Sequence, residues 1–293
     1  MNGIREIRLR MKSISQTLQI TSAMKLISTA KLRRARVQLN QTEPYFDRIR
    51  ETMNDIIAHS EDIRDRYFRV PPRKDGKVRR AFLIITSDKG LAGGYNHNVI
   101  KLAESSFISN ENDFLLLLGS IGSRYFFRKN HPILENFRYT TAIPTVYEAK
   151  DISDFILGQF EAKVIDEFYI VYTRMYSSVK LVPEVLRILP FEEKHFSKAA
   201  SGASKSDSSI VYIPSAKAVL ATLIPKYLSG VVYGAMVESF ASEHSARMTA
   251  MDNASKNAQE MLDNLRLSYN RIRQSAITQE VSEIVAGAAA LIV

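Results

Sequence analysis

Apolar residues along the first 57 positions recur in alternating steps of three and four: Ile4, Ile7, Met11, Ile14 and Leu18. This is the seam of a long helix in heptad register, and no glycine or proline interrupts it between Ile4 and Glu43. Continuing the register gives Thr21, Lys25 and Ser28, then Leu32, Ala35 and Leu39, so the seam turns polar in its middle. A straight helix does not hold a 3.5-residue period, and the simplest expectation is a stripe that drifts around the helix there. The other end of the chain has the same character. From Ser215 to about Gly287 there is one proline, Pro225, and Val237, Phe240/Ala241, His244, Met248, Met251, Ala258, Leu262, Leu265, Tyr269, Ile272 and Ala276 follow helical spacing. The part after Gly234 predicts a helix of roughly 75 Å at ~1.5 Å per residue. Two helices too long for burial in a domain, each with one apolar seam, are expected to pair as an antiparallel coiled coil.

Between them the period changes. "RRAFLIITS", "NDFLLLLGS", "EFYIVYTR" and "VKLVPEVLRILP" predict strands, while "NVIKLAESSFI", "SRYFFRKN" and "DISDFILGQFEAKVI" predict helices. Alternation of the two, with apolar runs too dense for a sheet solvated on one face, predicts an α/β layer fold with a largely parallel sheet. The expected organisation is an N-terminal helix over 1–57, an α/β domain over 77–210 and a C-terminal helix over 211–293. "FSKAASGASKSDSS", 196–209, is expected to be a flexible loop.

Composition narrows the function classes. The chain has no cysteine, which excludes disulfides and thiolate metal sites. Its five histidines are scattered without metal-ligand spacing, and the longest uninterrupted apolar runs are too short to cross a bilayer. The net charge is +9, with nine Lys/Arg against one acid in residues 1–40, and such a patch calls for an anionic partner. No nucleophile, base and orienting group stand together in the sequence. His244, on the apolar stripe, is expected to be a packed seam residue.

The stretch "LIITSDKGLAGGYN", Leu83 to Asn96, has the strand, glycine-rich loop and helix order of a phosphate cradle. Its details do not fit. A P-loop needs G-x-x-x-x-G-K-[ST], whereas Lys89 precedes the glycines, and Gly90-Leu91-Ala92-Gly93-Gly94 does not spell G-x-G-x-x-G. The expectation is a strand-to-helix turn whose glycines supply positive φ. Two other stretches depart from a plain structural pattern. "QITSAMKLISTAKLRRAR", Gln19 to Arg36, mixes small, polar and basic residues. "RIRQSAITQEVSEIVAGAAALIV", Arg271 to Val293, joins a polar cluster to a smooth apolar end, which calls for a hydrophobic socket in a partner.

These residues carry a family resemblance. "IRLRMKSISQTLQITSAMKLISTAKLRRA", "ITSDKGLAGGYN" and "ASEHSARMTAMDNAS…YNRIRQSAITQEVSEIVAGAAAL" resemble the gamma subunits of F-type ATP synthases, and the last is the most specific. The resemblance implies a Rossmann-like α/β domain plus a coiled coil of the two terminal helices. It further implies a noncatalytic central-stalk rotor that binds no cofactor or metal and couples ion flow to ATP synthesis and hydrolysis by rotation. Its implied partners are the alpha and beta subunits of the catalytic ring, the epsilon subunit and the c-subunit ring. Membrane association is through that ring, without insertion, on the cytoplasmic face of a bacterial plasma membrane. The absence of a transit-peptide pattern fits that placement.

The resemblance also implies contact with the catalytic ring through Met24, Lys25, Lys89, Ala92, Arg273, Gln274, Thr278, Glu280 and Glu283. In it, Met24 and Lys25 pack near the C-terminal polar cluster, and Lys89 faces a neighbour's carboxylates. Ala286, Gly287, Ala288, Ala289, Ala290 and Leu291 form a low-friction bearing tip. Ala92 stands where the family often has cysteine. The runner-up function is a basic coiled-coil protein that binds nucleic acid, although the N-terminal helix lacks aromatic stacking positions and base-reading motifs.

Overall fold

A computed structural model of the chain describes residues 2–59, 67–68, 70, 76–108, 111–139, 143–191, 212–213 and 215–290. The expected loop at 196–209 lies outside them. Helix α1 is Asn2–His59 and, at the other end, α5 is Ala216–Ala290. Between them run β1 (Arg80–Ile85), α2 (Tyr95–Ser106), β2 (Asp113–Leu118), α3 (Ser120–Phe127), β3 (Ile133–Phe137), α4 (Val146–Glu161), β4 (Glu167–Met175) and β5 (Leu181–Leu189). Two compact units share these elements: residues 1–29 with 247–293, and residues 30–246.

The larger unit is built on a five-stranded sheet in the order β3-β2-β1-β4-β5. The pairs β1–β2, β1–β4 and β2–β3 are parallel, and β4–β5 is antiparallel. The α/β layer with a largely parallel sheet is therefore present. Strands β1 and β2 are almost wholly buried, as their unbroken apolar runs require when both faces are covered. One face carries α4 together with the second half of α1 and the start of α5, through Met53, Ile56, Ile152, Phe160, Leu228 and Val232; the other carries α2 and α3 through Val99, Ala103 and Phe126. Pro183 is tolerated because β5 is an edge strand. Strand β3 was not expected: at five residues, all half-buried, it gives too short a pattern to recognise. Helix α4 starts five residues before the expected run, at a capping box of Thr145 and Glu148, which "TVYE" spells out.

The smaller unit consists of the start of α1 and the end of α5, side by side and antiparallel. Arg8 donates to the Tyr269 hydroxyl (2.9 Å), the Thr21 and Ser255 hydroxyls bond at 2.7 Å, and Lys25 reaches Asp252 at 2.6 Å. As residue numbers rise along one helix they fall along the other at the same rate. The heptad register of α1 does not drift. Thr21 and Ser28 are buried, Lys25 is half-buried, and Leu32 and Ala35 follow in the same phase. The polar stretch thus stays on the seam because the opposite helix supplies polar partners. On α5 the seam residues Met251, Ala258 and Leu262 are buried, and Ser255 occupies the heptad position between them.

His244 is buried, its ring 4.4 Å from that of Phe240 in an edge-on contact, as a packed seam residue should be. An 18-residue stretch of α5 does reach the mean hydropathy and length to cross a membrane, unlike any uninterrupted run. Half of it is buried inside the protein, which a core helix explains.

Candidate functional site

Three regions contain the sequence-predicted site residues, and the glycine-rich loop is the first. Thr86, at the end of β1, accepts from the Gly122 amide (2.9 Å) and donates to the Leu118 carbonyl (3.1 Å), joining β1 to the β2–α3 turn. The Ser87 amide donates to the Asn96 side chain (2.9 Å). The Asp88 carboxylate accepts both the amide and hydroxyl of Ser120, each at 3.0 Å. The N-terminus of α3, where an anion is readily held, is thus capped by the protein's own carboxylate. Of the three loop glycines only Gly93 has positive φ (56°), while Leu91 takes φ 63° as a non-glycine residue.

Ligands of open α/β sheets bind outside the carboxyl ends of the strands, where the strand order reverses. Here that point lies between β1 and β4. The space beside Ile85, Thr86 and Leu118 is filled by Met236, Ser239, Phe240 and Glu243 of α5, leaving about 20 Å³. That is room for about one water. The crevice is core, and a nucleotide has no place in it.

What this loop offers is surface. Lys89 is exposed, as is Leu91 at 64%. Ala92 is 2% exposed, so its methyl group is covered by the chain's own fold and does not reach the surface as a contact residue would. Small size at position 92 serves packing under the loop.

The second region is the polar layer of the helix pair. Asp252 accepts from Lys25 (2.6 Å) and from Lys256 (2.9 Å). These two hydrogen bonds hold its carboxyl down to about 2. The folded value lies below the ordinary one of ~3.9, so the stabilisation is complete above about pH 4 and fades as pH falls toward 2. Melting of the full chain should therefore separate wild type from Asp252→Asn by a constant gap from pH 7 to about 4. The gap should close as pH approaches 2, and a gap that persisted at pH 2 would rule out the carboxylate as its source.

The third region is the end of α5. Arg273, Gln274, Thr278, Glu280 and Glu283 are all exposed. Thr278 donates to the Gln274 carbonyl (2.9 Å) and Glu283 accepts from Gln279 (2.9 Å), so these bonds stay within the helix. Ile277, Val281, Ile284 and Val285 are exposed apolar residues among them. Ala286 is exposed, Gly287 to Ala290 continue the helical backbone, and Leu291 lies outside the described residues. Met24 and Lys25 are half-buried and do not pack near this cluster, contrary to the expectation. Lys25 faces Asp252, and Arg273 lies roughly 20 residues further along α5, about 30 Å of helix. The N-terminal residue nearest the cluster by hydrogen bonding is Arg8, through Tyr269.

Sequence reasoning missed Asp252 and Ser255. The register of α5, continued from Met251 to Ala258, would have placed Ser255 on the seam. Nothing local marks Asp252.

The ATP synthase family model matches residues 3–291. The ATP synthase gamma chain of Ruminiclostridium cellulolyticum is 48% identical over 292 residues, covering 99% of each chain. The chain belongs to the ATP synthase gamma-chain family. The gamma chain of Acetobacterium woodii, described as sodium ion specific, is 37% identical over 302 residues and 99% of each chain. A Euglena gracilis mitochondrial ATP synthase structure containing OSCP, F1 and c-ring has a chain that matches with a TM-score of 0.67 at 16% identity. The match covers 99% of this chain and 95% of that one, and it is a likeness of fold. Membership in the gamma-chain family makes this a noncatalytic subunit of the synthase.

Proposed function

We propose that the chain is the central-stalk rotor of an F-type ATP synthase on the cytoplasmic face of a bacterial membrane. It couples ion flow through a c-subunit ring to ATP synthesis and hydrolysis in a ring of alpha and beta subunits, with an epsilon subunit alongside. The observation that carries this reading is the end of α5. Its polar cluster (Arg273, Gln274, Thr278, Glu280, Glu283) and apolar residues (Ile277, Val281, Ile284, Val285) are exposed together on one helix. Exposed apolar surface of that kind marks a binding face. The residues from Ala286 to Leu291 then act as the bearing, where small side chains without directional bonds meet shallow barriers on turning. Lys89, Leu91, Met24 and Lys25 supply further contacts with the ring.

The coupling is physical and needs no chemistry from the chain. A stiff element that touches alternative conformers of its neighbours unequally shifts their populations. The basic start of α1 supports the same reading, because complementary charge orients partners with little demand on sequence. ATPase activity of an alpha–beta mixture should rise at least about tenfold when this chain is added, a shift of ~1.4 kcal/mol in the activation barrier. Equal activity with and without the chain would overturn the proposal.

A further inference from the structure

Within the larger unit, the turn between β4 and β5 holds both long helices at one place. Strand β4 runs on past its last β1 partner, Val171, and α5 supplies hydrogen bonds to the part that projects. The Thr173 amide donates to the Ser239 hydroxyl (3.4 Å), and the Ser242 hydroxyl donates to the Thr173 carbonyl (3.1 Å). One step further along α5, the Ser245 hydroxyl donates to the Ser178 carbonyl (2.7 Å). All three serines are buried, and so is Thr173. Buried backbone amides and carbonyls need partners, so the hydroxyls at 239 and 242 complete the end of β4.

Ser178 ties down α1 as well, because Arg36 donates to its hydroxyl at 2.8 Å. The turn itself is braced. The Tyr176 and Ser177 amides donate to the Lys180 carbonyl (3.1 and 3.3 Å). The Ser177 hydroxyl in turn accepts from the amides of Val179 (3.3 Å) and Lys180 (3.0 Å). One residue of a stiff turn thus reaches both α1 and α5.

The spacing of the serines has a mechanical consequence. They stand three residues apart, while a helix completes a turn in about 3.6, so each step winds roughly 60° around α5. The first and last bonds therefore lie about 120° apart around the helix axis. Apolar contacts have no direction and let a helix roll over its neighbour. Hydrogen bonds weaken steeply when misaligned, and bonds on two faces of α5 oppose a roll in either sense.

We infer that the β4–β5 turn is a clasp that fixes the rotational setting of α5 and α1 against the sheet, with Ser178, Ser239, Ser242 and Ser245 as positioning residues for the transmission of torque. The torque rests on the rotor reading, and the test separates the two claims. The chain has no cysteine, so Lys101→Cys in α2 and Asn253→Cys in α5, both at exposed positions, take spin labels alone. Their distance distribution in the full chain should become at least about half as wide again when Ser239→Ala, Ser242→Ala and Ser245→Ala are combined, because the directional bonds are gone. Ser245→Ala alone should widen it less, and it carries the test where the triple variant does not fold. Ile152→Val trims a buried residue of α4 and should lower the melting temperature without widening the distribution. In the assembled complex in sealed vesicles, the triple variant should build membrane potential per ATP hydrolysed at least about threefold more slowly, a factor within reach of one net hydrogen bond. Ile152→Val should match wild type there. An unchanged width overturns the clasp. A wider distribution with unchanged potential per ATP overturns its part in coupling. A wild-type complex that builds no potential overturns the rotor reading first, and the widths alone then decide the clasp.

Discussion

Gly119→Ala is expected to cost the larger unit about 3–5 kcal/mol, a large part of the ~5–15 kcal/mol that holds a domain together. Two independent effects add. Gly119 sits at φ 98°, and a Cβ there would stand 2.1 Å from the Thr86 carbonyl oxygen and 2.8 Å from its hydroxyl. Neither obstacle can yield cheaply. Thr86 is buried, its amide donates to Leu118 and its hydroxyl both donates to Leu118 and accepts from Gly122. Moving it would open the ends of β1 and β2 where α3 begins and Asp88 caps Ser120. Gly158→Ala in α4 is the matched control, with φ outside the positive region and open space around its Cβ. It should stabilise by roughly 0.5–1 kcal/mol through helix propensity. Denaturant midpoints of the two variants against wild type measure both signs, and a Gly119→Ala midpoint close to wild type would contradict the packing described.

The long helices and the parallel sheet were legible because their apolar spacing is set by burial within the chain. Ile4 to Leu18 and Val237 to Leu262 carry that spacing unaided. The polar middle of the α1 seam was visible too, but the sequence does not say which residues of another helix stand opposite. Thr21 and Lys25 read as a drifting stripe until Ser255 and Asp252 supply their partners. Strand β3 was lost for a different reason: five half-buried residues at a sheet edge leave no run to see. For the candidate contact residues the limit is physical. Arg273, Thr278 and Glu280 form no long-range hydrogen bond or ion pair among the described interactions, so burial and packing within this chain give no reason for their identity. Only the family motifs single them out, and folding the chain alone does not explain them.

Ile284→Lys should leave the free chain as stable as wild type and weaken its entry into the catalytic ring about 100-fold or more. Ile284 is 71% exposed near the end of α5, so its loss removes little buried surface. Lysine is a good helix former, and a cation suits the C-terminal end of a helix. Exposed substitutions of this kind shift stability by less than about 0.5 kcal/mol. In the complex, the proposed socket would have to bury an unpaired ammonium, at a cost of about 3 kcal/mol or more. Melting of the free chain and yield of complex from an alpha–beta mixture measure the two effects separately. Ile284→Ala keeps the position apolar and should lose far less complex than the lysine variant. Equal yield for Ile284→Lys and wild type would show that this end of α5 stays in water, which removes the socket and the bearing together. A melting temperature lowered along with the yield would instead mean that Ile284 supports the helix pair itself, against the exposure seen here.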